Sequence, residues 1–318
     1  GTKRIDPLAK QGKIHREYAP LNNRVMELRK VCNHPLLSYP PLDMYPVDLV
    51  RKCGKMMVLD RILVKLFHTP HRVLLFSTMT KLLDVMENYL RWRQVDGPNG
   101  KQLMKFARID GSTALEDREE AIQEFRRPDS ETFIFLLSIR AAGRGLNLQT
   151  SDTVIIFDPD HNPKNEEQAI ARSHRIGQTK EVQVMFMESV PEAPPEAIAA
   201  AQPPPSERGS APPDKLYADS IESLIRNTIQ KMKIDMANEV IDAGRFDGQT
   251  TNEERKQTLE SLLQDEDRNA KAKNEVPDFP ALNRMLGRNQ EEVELFDRLD
   301  RELQWPEPEG EDAIPDWL

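Results

Sequence analysis

The chain has 318 residues, 38% hydrophobic, 31% charged and 6% aromatic, with a net charge of −9. This length holds one core of ordinary domain size plus extensions, and no run approaches the ~20 apolar residues of a membrane span. The opening Gly-Thr-Lys-Arg leads no apolar signal core, Gly at position 1 suggests a fragment, and two cysteines, Cys32 and Cys53, exclude a disulfide framework and make a reducing intracellular compartment the expectation.

Cys32, His34 and Cys53 lack the Cys-x-x-Cys pair that anchors a zinc site, which leaves two buried free thiols as the reading. Runs rich in β-branched and aliphatic residues then follow at 72–77 (RVLLFS), 132–138 (TFIFLLS), 153–158 (TVIIFD) and 182–187 (VQVMFM), with a weaker one at 105–109. Continuous apolar character suits strands buried on both faces, as in a parallel sheet. Amphipathic segments alternate with them. Residues 79–92 place Leu82, Leu83, Met86, Tyr89 and Leu90 on one stripe, and 115–125 follow the cap candidates Ser112 and Thr113. The pattern predicts an α/β domain over 51–190 with right-handed crossovers and function in loops at the strand carboxyl ends.

Residues 191–213, rich in Pro, Ala and Ser, read as a linker or insertion. Beyond them Ile221, Leu224, Ile225, Ile229 and Met232 recur at helical spacing, which predicts a brace packed back across the lobe. Further helices are expected over 252–264 and 290–303, and a disordered acidic tail over 306–318. Charge divides with this organisation. Residues 1–190 hold 29 Lys/Arg and 24 Asp/Glu, a balance of +5, whereas 191–318 hold 15 and 29, a balance of −14. Only the first part has the sign of a phosphate-tracking surface, and the second suits basic proteins or simply solvated acidic helices.

Two loops carry the chemistry. After the strand at 132–138 comes IRAAGRGLN, where small residues let the backbone approach a ligand or a partner domain, although a tight strand-to-helix turn explains it equally. After the strand at 153–158 comes QAIARSHRIGQ, residues 168–178. On a helix Arg172 and Arg175 share a face, with Gln168 one turn before Arg172. Paired guanidiniums can clamp a phosphate whose charge grows in a transition state; the alternative is a solvated face with both arginines paired to Glu166 or Glu167.

RIDGST (108–113), SIRAAGRGLNLQTSDTVIIFDPDHNP (138–163) and QAIARSHRIGQ resemble, in order and spacing, the second lobe of SWI/SNF-type chromatin-remodelling ATPases, which are superfamily 2 helicase-like motors. LRKVCNHPLL (28–37) resembles their interlobe segment, and ANEVIDAGRFDGQTTNEER (237–255) resembles the SnAC region of the Brahma subfamily, plant Brahma proteins in particular. The resemblance covers most of 24–305. It implies an α/β, RecA-like parallel-sheet lobe (the superfamily 2 helicase C-terminal domain) over 51–190, preceded over 1–50 by the end of the first lobe and the interlobe connection. A mostly α-helical appendage follows over 214–305.

The resemblance also implies roles. Arg172 and Arg175 would be arginine fingers reaching ATP held by the other lobe, with Gln168 near the same cleft. Gly143, Gly145 and Asn147 would couple nucleotide state to DNA grip. Asp110, Gly111, Ser112 and Thr113 would sit near the DNA backbone, with Lys81 and Arg118 as further phosphate contacts, and Arg245, Arg255 and Lys256 as histone anchors. Duplex DNA, nucleosomes, histones and other complex subunits would be partners, in the nucleus. Arg144, Thr78 and His161 stand where many relatives carry Leu, Gln and Trp, and the last two put DNA-contact details in doubt.

No G-x-x-x-x-G-K-[ST] loop or Asp-Glu-x-His box occurs in the 318 residues. The phosphate cradle and the acids holding Mg2+ would belong to the missing first lobe, so this chain alone is expected to be inactive. The competing readings are a non-catalytic DNA- or histone-binding module and a strand-separating helicase of the same superfamily.

Overall fold

The computed structural model describes residues 21–38, 45–97, 100–142, 146–174, 178–191, 220–231 and 276–307. In chain order the elements are α1 (Leu21–Asn33), α2 (Asp48–Arg51), α3 (Gly54–Phe67), β1 (Val73–Ser77), α4 (Thr80–Trp92), β2 (Gln94–Gly97), β3 (Gly100–Leu103), β4 (Phe106–Ile109), α5 (Leu115–Arg126), β5 (Ile134–Ser138), α6 (Ile139–Ala142), β6 (Thr153–Ile156), α7 (Pro163–Ile170) and β7 (Gln183–Phe186). Then come α8 (Ile221–Leu224), prolonged by a π turn (Ile225–Gln230), α9 (Phe279–Leu286) and α10 (Gln290–Glu302). The helix expected over 252–264 and the residues Arg245, Arg255 and Lys256 lie outside the described residues.

Five strands form one parallel sheet in the order β4-β5-β1-β6-β7. β1 is central, with Val73 opposite both Ile134 of β5 and Thr153 of β6, and all five of its residues are buried. Alternation sorts its side chains: Val73 and Leu75 join Leu63, Leu82 and Tyr89 on one face, while Leu74 and Phe76 join Phe125, Phe135 and Ala169 on the other. A sheet covered on both faces accounts for the unbroken apolar runs in the sequence.

Three elements differ from expectation. β2 and β3 form an antiparallel hairpin, with Gly100 at φ +102 where its turn needs a left-handed residue. α5 starts after Ala114 with no side-chain cap, because Ser112 and Thr113 serve the preceding turn instead. α9 lies within the expected helical appendage, at a position the apolar spacing does not mark.

The post-lobe elements pack onto the lobe. Ile221 and Ile225 share a small core with Val25 of α1, and Phe296, Leu299 and Leu286 join the core against α3 and α4. Asp300 takes Lys65 at 2.8 Å and Arg61 at 3.1 Å, and the His71 ring lies between Asp152 at 2.8 Å and Glu292 at 3.0 Å. Trp305 is partly buried, with the Arg61 guanidinium 4.7 Å from its ring. Among the described residues β7 pairs with β6 alone. The Gln183 side chain donates to the Met285 carbonyl and accepts from Arg288 Nη1 at 2.8 Å.

Candidate functional site: loops at the strand carboxyl ends

The turn after β4 is built around Asp110. Its Oδ1 accepts from the Ser112 N–H (2.8 Å) and Oγ (2.6 Å), and Arg108 Nη2 donates to its Oδ2 (2.7 Å). The Ser112 hydroxyl, its N–H and the Arg108 guanidinium hold the carboxyl down to about 2. Arg108 also reaches Asp84 (2.6 Å) and Glu87 (2.8 Å), tying the turn to α4. Within the turn, the Asp110 carboxylate thus takes both Ser112 donors. Thr113 Oγ1 accepts from the Asp110 N–H at 3.0 Å, which leaves its own proton to donate outward. Gly111 is exposed, and a Cβ there meets nothing within 4 Å, so the space above the turn is open.

Arg118, expected as a phosphate contact, is buried behind this turn at 4% exposure, donating to the Asp110 carbonyl at 3.3 Å. It supports the loop from within. Lys81 is exposed in the first turn of α4, three residues before Asp84.

Asp110→Asn, which weakens a charge-assisted network, is expected to lower stability by about 1–3 kcal/mol in urea denaturation at neutral pH. The wild-type contribution is complete above the unfolded carboxylate range near pH ~4 and fades as pH falls through about 2. A variant with an unmoved midpoint counts against this role.

The second group joins the segment after α6 to the turn after α7. The Leu148 N–H donates to the Arg172 carbonyl at 3.1 Å, and Arg172 Nε to the Gln168 carbonyl at 2.9 Å. α7 ends at Ile170, so Arg172 stands in the turn beyond it rather than on the helix. Arg175, Gly143 and Gly145 lie outside the described residues. Asn147 is half-buried, and its Oδ1 is an acceptor with no donor among the described residues. Of the two neighbouring carboxylates on α7, Glu167 takes Lys164 at 2.9 Å, and Glu166 takes Gln230 at 2.9 Å and Arg226 at 3.6 Å.

Several residues that organise this edge were not singled out from sequence. Arg29 of α1 donates to Thr78 Oγ1 (2.7 Å), Asp158 Oδ2 (3.1 Å) and the Pro159 carbonyl (2.8 Å). Asp158, fully buried, also accepts from Ser77 Oγ (2.6 Å) and the Thr78 N–H (3.1 Å), so one carboxylate joins α1 to the ends of β1 and β6. Gln178 Nε2 donates to the carbonyls of Gln149 and Ser151, both at 2.9 Å, closing the loop that carries Arg172. His34 and Cys53 are committed structurally, His34 Nε2 lying 3.0 Å from the Leu49 carbonyl and Cys53 Sγ donating to the Asn33 carbonyl at 3.1 Å. Among the described residues no group of three or more His, Cys, Asp or Glu is placed to hold a metal ion.

Comparison with known proteins places these loops in a family context. The helicase conserved C-terminal domain matches residues 54–177. The ATP-dependent helicase BRM of Arabidopsis thaliana is 54% identical over an alignment covering 100% of this chain and 15% of that protein. The ATP-dependent helicase brm of Drosophila melanogaster is 38% identical, covering 94% of this chain and 17% of that protein. Nuclear protein STH1/NPS1 of Saccharomyces cerevisiae is 39% identical, covering 89% and 18%. The chain thus spans less than a fifth of the length of each of these three relatives.

Proposed function

The chain belongs to the Brahma-type SWI/SNF ATPases as their helicase C-terminal lobe region, and from that premise we propose that it is the second lobe of a motor that hydrolyses ATP to move duplex DNA on nucleosomes. The observation that carries this reading is the placement of Arg172. Its backbone is tied to Leu148 and its Nε to the Gln168 carbonyl, which ties the guanidinium to α7. A finger needs such restraint, because positioning and charge stabilisation supply most of phosphoryl-transfer catalysis.

The residues present fit half of a nucleotide site. Arg172, with Arg175 from the same motif, would hold the γ-phosphate side, Gln168 would orient within the cleft, and the unmatched Asn147 Oδ1 suits a donor on the nucleotide or the facing lobe. Gly143 and Gly145 belong to the same coupling loop. The triphosphate with its Mg2+, held on the first lobe, supplies the leaving group and the charge that these residues stabilise. Thr113, Gly111 and exposed Lys81 offer contacts to phosphate without reading bases, whereas Asp110, Ser112 and Arg118 shape the turn that presents them. Arg245, Arg255 and Lys256 in the acidic C-terminal part are proposed as histone contacts, and a chromatin motor works in the nucleus alongside other complex subunits.

The test compares this chain with a protein joining it to its first lobe. The chain alone should show no ATP turnover, the two-lobed protein turnover stimulated by duplex DNA, and neither should displace a strand. A two-lobed protein indifferent to duplex DNA, or one that unwinds it, would refute the reading.

A further inference from the structure

We propose that Glu166 and Gln230 are positioning residues for Arg172, through which the helix after the lobe sets the finger. The inference rests on the reading of Arg172 given above.

Glu166 lies in the first turn of α7 at 5% exposure, a buried carboxylate on the helix that leads to Gln168 and Arg172. Its Oε1 accepts from the Asp160 N–H at 2.8 Å and from Gln230 Nε2 at 2.9 Å, and Arg226 Nη1 stands 3.6 Å from its Oε2. Gln230 Nε2 also donates to the Asp160 carbonyl at 2.7 Å, so one amide holds both the loop entering α7 and the helix itself. Arg226 lies over the Phe186 ring of β7 at 4.5 Å. Both side chains come from the π turn, a helix form found often at functional sites.

The other end of this short brace is anchored elsewhere. Glu222 pairs with Lys55 of α3 at 3.0 Å, Lys55 Nζ donates to Asn33 of α1 at 3.0 Å, and Ile221 and Ile225 pack on Val25 of α1. Nine residues therefore join the interlobe helix to the root of the finger helix. From Glu166 to Ile170, where α7 ends, is about 6 Å of helix rise. Arg172 Nε is bonded to the Gln168 carbonyl, so a shift of the α7 first turn carries the guanidinium with it. Movement of α1 relative to the lobe reaches the catalytic arginine by this route, with no contact between brace and nucleotide.

The experiment uses the two-lobed protein. Gln230→Ala is expected to lower kcat about ten- to a hundredfold, the cost of a misplaced group, with KM for ATP and duplex-DNA affinity within about twofold. Gln230→Glu keeps the side-chain size but cannot donate to the Asp160 carbonyl, and should lower kcat as far as Gln230→Ala with KM for ATP again unmoved. If Gln230→Ala does not fold, Arg226→Ala reads the same coupling from Oε2. Arg172→Ala is measured in parallel. Full turnover in Gln230→Ala or Arg226→Ala beside an inactive Arg172→Ala overturns this proposal alone, as does a Gln230→Glu protein with wild-type kcat. Full turnover in Arg172→Ala instead overturns the finger reading beneath it.

Discussion

Arg175→Ala in the two-lobed protein is expected to lower kcat by about 10³-fold or more, leaving duplex-DNA affinity nearly intact. Charge builds on the γ-phosphoryl oxygens as the bond to the leaving group stretches, and a fixed guanidinium at that point stabilises the transition state more than the ground state. Arg175 follows Arg172 by three residues in a motif whose first arginine is already held in register with α7. Arg175→Lys should recover little, because an ammonium cannot reproduce a planar, bidentate fork. Steady-state turnover with saturating duplex DNA measures this. Undiminished turnover in Arg175→Ala removes that residue from the chemistry.

Lys55→Met should cost about 3–5 kcal/mol of stability, because it strands Glu222 in a site from which water is excluded. Lys55 and Glu222 side chains are 3% and 0% exposed, and both carboxylate oxygens lie 3.0 Å from Nζ. Burial pushes the Glu222 carboxyl up, and Lys55 only partly offsets it. Adding Glu222→Leu to Lys55→Met should recover most of the loss, since apolar residues of similar volume often replace a buried pair at little cost. Urea denaturation of all three proteins provides the comparison. A single variant within about 0.5 kcal/mol of wild type would show that the pair carries no such penalty.

The lobe was legible because its signal is local. Five apolar runs stand at the five sheet strands, shorter by a residue or two at most ends, since parallel strands covered on both faces leave no polar alternation to confuse them. The β2–β3 hairpin escaped notice because its strands are nearly all polar and exposed, although Asp96-Gly97 and Asn99-Gly100 carry turn chemistry. α9 was readable in principle from its cap Asp278 and Pro280 in the first turn. Ser112 and Thr113 misled as caps because Asp110, two and three residues back, takes their hydrogen bonds first. The site's order and spacing were visible as a family resemblance. Its bracing was not: Arg29 meets Asp158 across 129 residues, Lys55 meets Glu222 across 167, and no periodicity encodes such pairs.

The C-terminal helices have a further use. Leu286, Phe296 and Leu299 sit in the core with residues of α3 and α4, and the side chain of Gln183 in β7 is held between Met285 and Arg288. A protein stripped of 276–307 would bare the apolar patch these residues cover, and its molecules would stick to one another through that patch, so the same short appendage that completes the core also keeps neighbours apart.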